Sequence, residues 1–236
     1  MAEIFVAKLA GFCFGVKNAV DAVERAISTG KRVFTLGKLI HNPSYIASLE
    51  EKGVRIVGES DLDMIMKTIG ESTPTIICTR AHGITKGLSE KLDSMKKANP
   101  FLEIVDCTCP HVSRIQRIAA CETTPDTLFC ILGDPSHPEV DGIISYANGK
   151  TIAKPTSDEL LAAFEAEKMH KKDTILVAQT TQNVKEWLSS QKVFKKVCTN
   201  SKIYDTICSV TENRQNEVLK LSRKMDMMLV IGGKDS

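Results

Sequence analysis

DCTCPHVSRIQ (residues 106–116) and DTICSVTENRQ (residues 205–215) share an Asp-x-x-Cys frame, with a glutamine seven positions after the framed cysteine. The frame selects Cys109 and Cys208 and leaves Cys107 out. This echo is the local trace of a longer periodicity. Polar or reactive residues that follow apolar runs are Cys13, His41, His82, Cys109, His137, Thr180, Cys208 and Ser236. Cys13 to His41, Cys109 to His137 and Cys208 to Ser236 are each 28 residues. His41 to His82 is 41 and His137 to Thr180 is 43, and the three cysteines are 96 and 99 apart. An internal repeat of roughly 97 residues accounts for this spacing.

Each repeat alternates strand and helix. Apolar, β-branched runs occur at Ile4–Ala7, Val33–Leu36, Val54–Val57, Thr75–Cys78 and Leu102–Val105, then at Thr127–Leu132, Thr151–Ala153, Thr174–Ala178, Lys202–Tyr204 and Met227–Ile231. Amphipathic stretches with readable ends lie between most of them. HNPSYIASLEEKG (41–53) offers Asn42 as N-cap, Pro43 in the first turn and Gly53 past the end. TSDE (156–159) reads as a capping box, and the helix over Val16–Thr29 stops at Gly30. Such alternation implies parallel sheets covered by helices. The repeat predicts an α/β chain with boundaries at 14–108, 109–204 and 205–236 plus 1–13. The third repeat starts at Cys208 and reaches Ser236. Its second pocket position is expected roughly 41–43 residues further on, so that domain reads as truncated here.

Composition narrows the function classes. The 236 residues carry 31 basic and 29 acidic side chains, a net charge of +2, without the basic stripe of a nucleic-acid binder. Nothing approaches a membrane-spanning run, and the N-terminus lacks signal-peptide features, so a cytoplasmic location is expected. Eight cysteines in that compartment read as buried thiols, ligands or redox groups rather than as a disulfide framework. Cys78 and Cys130 in apolar strands and Cys121 in a helix read as core thiols, and Cys198 as structural.

In α/β sheets, ligands bind beyond the carboxyl ends of strands. Three repeat-related thiols there, with no fourth, suggest a metal centre with one open position, either zinc or an iron–sulfur cluster. His41, His82 and His137, with the hydroxyls of Thr180 and Ser236, would make a cationic, polar pocket for phosphate oxygens. His111 is a candidate neighbour of the metal, and His170 a solvated side chain. Glu139 stands at a helix start, where it either complements the dipole or, in a closed pocket, serves as general acid.

GFCFGV (11–16), HN (41–42), AHG (81–83), DCTCP (106–110), SHPEVDG (136–142), QTTQ (179–182), DTIC (205–208) and NRQ (213–215) together resemble the 4-hydroxy-3-methylbut-2-enyl diphosphate reductase family. The resemblance runs from residue 4 to residue 236. It implies a trefoil of three pseudo-symmetric α/β domains around one central 4Fe–4S cluster held by Cys13, Cys109 and Cys208. It implies that His41, His82, His137, Thr180 and Ser236 line the substrate cavity and that Glu139 donates the proton. The implied reaction removes an allylic hydroxyl with two electrons, in the non-mevalonate isoprenoid pathway, to give isopentenyl and dimethylallyl diphosphate. The implied electron donor is a ferredoxin or flavodoxin, with no nucleic-acid or membrane partner. Two departures stand out: Cys107 lies where the family often has a small residue, and the family continues past Ser236 with further serine and asparagine contacts to the diphosphate. A chain without them is expected to be inactive or aggregation-prone. The alternative reading is a non-catalytic metal-binding module, with zinc or no metal at the three cysteines. Protein colour after anaerobic purification separates the two.

Overall fold

The computed structural model describes residues 3–167 and 173–231. The chain divides into two compact units, one built from residues 14–113 and the other from residues 114–230 together with the N-terminal segment ending at Cys13.

The first unit begins with α1 (Phe14–Ser28), followed by β1 (Arg32–Leu36), α2 (Pro43–Glu51), β2 (Arg55–Val57), α3 (Leu62–Met66), β3 (Thr75–Cys78), α4 (Lys86–Ala98) and β4 (Leu102–Val105). Its four strands are parallel in the order β2-β1-β3-β4. α5 (Pro110–Glu122) runs across the division. The second unit contains β5 (Leu128–Leu132), α6 (Pro138–Tyr146), β6 (Lys150–Lys154), α7 (Ser157–Ala166), β7 (Thr174–Ala178), α8 (Val184–Val197), β8 (Ser201–Ile203) and α9 (Ser209–Ser222). Its sheet is parallel too, in the order β6-β5-β7-β8. The two sheets therefore repeat one topology.

The central strands are buried on both faces, as parallel strands under helices must be. Val33, Ile76 and Cys78 join the cluster on one face of the first sheet, while Phe34, Leu36 and Ile77 join that on the other. In the second sheet, Leu128, Cys130 and Leu132 face one cluster, and Phe129 and Ile131 the opposite one. This period of two explains why these strands read as unbroken apolar runs.

Helix ends follow their sequence signals. Asn42 caps α2 by accepting from the Tyr45 N–H at 3.0 Å, and Gly53 ends that region at φ +88°. Thr156 caps α7 by accepting from the Glu159 N–H at 3.3 Å, while the Glu159 carboxylate accepts from the Thr156 hydroxyl at 3.1 Å. The reciprocal bond of the box thus goes to the hydroxyl rather than to a backbone N–H.

Two expected strands do not form. The stretches Ile4–Ala7 and Met227–Ile231 carry no strand, and Ile4, Met227, Leu229 and Ile231 are 83–88% exposed. A β-prone run requires a neighbour to supply ladder hydrogen bonds and a surface to cover its face. Neither stretch has a strand neighbour among the described residues. α9 likewise buries none of its residues. A second correction concerns Cys121, expected in the core: it lies on the exposed side of α5.

Candidate functional site

The three cysteines selected by the repeat share one local geometry. Cys13 immediately precedes α1, Cys109 precedes α5, and Cys208 is the N-cap of α9. The Cys109 N–H donates to the Ala81 carbonyl just past β3, and its own carbonyl accepts from Ser113. The Cys208 N–H donates to the Thr180 carbonyl just past β7, and its carbonyl accepts from Glu212. All three thiols are half-buried, whereas Cys78, Cys107, Cys130 and Cys198 are buried. A helix N-terminus directs partial positive charge and backbone N–H groups toward an anion placed there. Each of these three thiols is half-accessible at a helix start, and none of the four buried ones is.

The aspartates of the shared frame brace these turns. Asp106 Oδ1 accepts from the Thr79 hydroxyl at 2.9 Å and from the N–H and hydroxyl of Thr108. Asp205 Oδ1 accepts from Trp187 Nε1 at 2.9 Å, and its carbonyl accepts from Arg114. Between aspartate and cysteine, Cys107 occupies the position that Thr206 fills in the second unit. The Cys107 N–H donates to the Thr79 hydroxyl at 2.8 Å, while the Thr206 hydroxyl bridges the N–H and carbonyl of Ala178. Each is a buried residue that ties a turn back to the end of its neighbouring strand. A hydrogen bond with Cys78, reinforced by burial, pushes the Cys107 thiol far above its ordinary range and keeps it protonated.

The backbone register also corrects one repeat equivalence. The paired bonds from Cys109 and Cys208 align Thr180 with Ala81, so the counterpart of His82 is the exposed Thr181. Spacing agrees: Ala81 to Cys109 and Thr180 to Cys208 are each 28 residues, whereas His82 to Cys109 is 27.

Within the first unit, His41 and His82 meet with ring centroids 4.4 Å apart and planes tilted by 46°. His41 precedes the cap of α2, and His82 lies in a turn closed by Gly83 at φ +78°, whose carbonyl accepts from Arg80 Nε. Within the second unit, His137 is the N-cap of α6, and its Nδ1 accepts from the Glu139 N–H at 3.1 Å. A neutral His137 ring therefore carries its proton on Nε2. Glu139, in the first turn of α6, is 1% exposed. Its Oε1 accepts from the Thr180 N–H at 2.7 Å and its Oε2 from the Thr180 hydroxyl at 2.8 Å. Burial raises the carboxyl above its usual range, and the two bonds from Thr180 oppose that rise without cancelling it. Gly133, after β5, makes room for this arrangement. A Cβ there would lie 2.9 Å from both Gln179 and Val140, the residues that precede Thr180 and follow Glu139.

Ser236 and His170 lie outside the described residues. His111, half-buried, follows Pro110 in the first turn of α5. Sequence reasoning missed roles for Arg214 and Glu217 on α9, which bond the segment leading to Cys13. The NRQ motif carried the only local signal.

With this geometry in view, comparisons with known proteins are specific. The family described as LytB protein matches residues 4–236. A 4-hydroxy-3-methylbut-2-enyl diphosphate reductase of Thermoanaerobacter sp. (strain X514) is 36% identical over 236 residues, covering 99% of this chain and 76% of its own length. The enzyme of that name from Geobacter metallireducens is 37% identical over 234 residues, with the same coverages. A solved structure of (E)-4-hydroxy-3-methyl-but-2-enyl diphosphate reductase, the terminal enzyme of the non-mevalonate pathway, matches with a TM-score of 0.69 at 31% identity. It covers 100% of this chain and 79% of that one. The chain therefore belongs to the LytB protein family, the family of the 4-hydroxy-3-methylbut-2-enyl diphosphate reductases.

Proposed function

We propose that this chain reduces 4-hydroxy-3-methylbut-2-enyl diphosphate to isopentenyl and dimethylallyl diphosphate. Two electrons and two protons enter, the allylic C–O bond breaks, and the hydroxyl leaves as water. The observation that carries this reading is the Glu139–Thr180 pair: a buried carboxyl with a raised pKa, engaged through both oxygens.

The pair has a built-in direction. The Thr180 N–H can only donate, so Glu139 Oε1 must accept, and the acid proton resides on Oε2. A protonated Oε2 donates to the Thr180 hydroxyl, which turns its own hydrogen toward the leaving hydroxyl. Proton delivery is then coupled to one fixed side-chain rotation. Burial shifts the carboxyl toward its protonated form, the form a general acid needs.

Cys13, Cys109 and Cys208 are the residues that would hold one 4Fe–4S cluster. When bound, that cluster supplies electrons singly and an electrophilic iron without a cysteine ligand. A ferredoxin or flavodoxin is the proposed donor. His41, His82 and His137, with Thr180 and Ser236, are assigned to the substrate's diphosphate and hydroxyl. Imidazole N–H groups and hydroxyls anchor the diphosphate away from the reacting bond and so orient the short carbon chain. The proposed repeat boundaries are 14–108, 109–204 and 205–236 plus 1–13, the third holding Cys13 and α9. The proposed compartment is the cytoplasm; among the described residues no helix is long and apolar enough to cross a membrane.

Glu139→Gln in an otherwise complete enzyme, one that carries the family's further serine and asparagine contacts, tests the reading. The amide keeps the size of the side chain but has no acid proton. Cluster content should be unchanged and turnover with artificial reductant should fall by about 10²–10⁴, the usual worth of positioned proton transfer. Turnover within threefold of the parent removes Glu139 as the acid.

A further inference from the structure

Residues 3–13 form neither strand nor helix, yet they lead directly to Cys13. This segment is tied to α9, the helix that Cys208 caps. Glu217 Oε1 accepts from the Lys8 N–H at 2.7 Å, and Oε2 accepts from the Leu9 N–H at 2.9 Å. One carboxylate thus captures two consecutive backbone donors, more than 200 residues away in sequence. One turn earlier on the same helix, Arg214 Nη2 donates to the Gly11 carbonyl. Gly11 takes φ +93°, which places that carbonyl through a backbone conformation unfavourable to other residues. Arg214 Nε is buried and makes no hydrogen bond, so the guanidinium is partly removed from water for the sake of this contact.

These contacts bracket the approach to Cys13. Two grip residues 8 and 9, and one grips residue 11, two positions before the thiol. α9 buries none of its residues, so its hold on the segment does not come from an apolar core. The bonds are charge-assisted, and such bonds are the stronger and more directional kind. An unstructured segment held by a carboxylate and a guanidinium on one helix has its cysteine positioned relative to that helix, and Cys208 sits at the helix's own N-terminus.

We infer that Arg214 and Glu217 form a clasp that positions Cys13 for metal binding: they are positioning residues for the first cluster ligand. The inference rests on the cluster reading above, but its first test does not require a cluster. In metal-free protein of all 236 residues, alkylation by iodoacetamide is followed by mass spectrometry at Cys13 and at the exposed Cys121, the internal standard. Glu217→Ala should raise the Cys13 rate at least fivefold relative to Cys121. Arg214→Ala should raise it about threefold, and Arg214→Lys should restore most of the protection. Far-ultraviolet dichroism and melting should stay near the parent, because neither residue belongs to the core. After anaerobic reconstitution, iron per chain should fall at least twofold in Glu217→Ala, with a changed electron paramagnetic resonance spectrum of the reduced cluster. Unchanged Cys13 alkylation and unchanged spectra in both alanine variants would overturn the clasp. If the parent takes up no cluster while Glu217→Ala still exposes Cys13, the clasp stands and the cluster reading falls.

Discussion

The stretch from Phe14 to Ile203 and the stretches outside it obey the same sequence pattern but meet different fates. In the first, every expected strand lies in a four-stranded parallel sheet, and its central strands are buried. Outside it, Ile4–Ala7 and Met227–Ile231 are as apolar and β-branched, yet they carry no strand and stand exposed beside a helix that buries nothing. What differs is the partner. β5 acquires β6 and β7 on its two edges and an apolar cluster on each face, while Met227–Ile231 acquires neither among the described residues. Propensity proposes a strand, and neighbours decide whether it forms.

The largest expected contrast is in stability. Phe129→Ala, in β5 and fully buried, should cost about 3–5 kcal/mol. Leu229→Ala, 83% exposed, should change stability by less than about 0.5 kcal/mol. Denaturant titration of the two variants measures both. A comparable loss at Leu229 would mean that the exposed stretch is packed in solution.

A smaller contrast concerns helix ends. Asn42 caps α2 through its side chain, and Asn42→Ala should cost about 1 kcal/mol. Cys208 stands at the same position of α9 without a side-chain cap bond, so Cys208→Ala in metal-free protein should cost less than about 0.5 kcal/mol. An equal loss at both ends would show that the thiol serves the helix rather than a ligand.

The smallest effect is the pH dependence set by Glu139. Its folded pKa is raised by burial, so the folded state holds the proton at pH values where the unfolded chain has released it. The contribution is fully present below the ordinary carboxylate range and is lost as pH rises through the folded value. Glu139→Gln removes this dependence. The melting temperature of the variant minus that of the parent should therefore increase as pH rises from the acid range toward neutrality. A difference that falls over that range would mean the carboxylate is stabilised as an anion.

Reading the sequence succeeded where a signal is local or periodic. Buried parallel strands announce themselves as apolar runs, Asn42-Pro43 writes its own cap, and an aspartate three residues before a cysteine is recognisable twice because the two sheets repeat one topology. It failed where the deciding partner is remote. The repeat spacing anticipates the exposed apolar face of Met227–Ile231 but not the absence of a strand there, and nothing near Cys121 reports which side of α5 is wet. Pairing Thr180 with His82 overlooks a one-residue difference in spacing, 28 residues from Thr180 to Cys208 against 27 from His82 to Cys109, which the backbone hydrogen bonds of the two cysteines expose. Arg214 and Glu217 act on residues about 200 positions away, a pairing that no window of sequence contains.

The central claim is that the repeat separates ligand thiols from structural ones, and that Cys107 and Cys109, two residues apart, fall on opposite sides. Iron and sulfide per chain, measured after anaerobic reconstitution of Cys13→Ser, Cys109→Ser, Cys208→Ser and Cys107→Ser, test it directly. The first three should lose most of their iron, and Cys107→Ser should keep nearly all of the parent's. Iron lost from Cys107→Ser as fully as from Cys109→Ser would contradict the account.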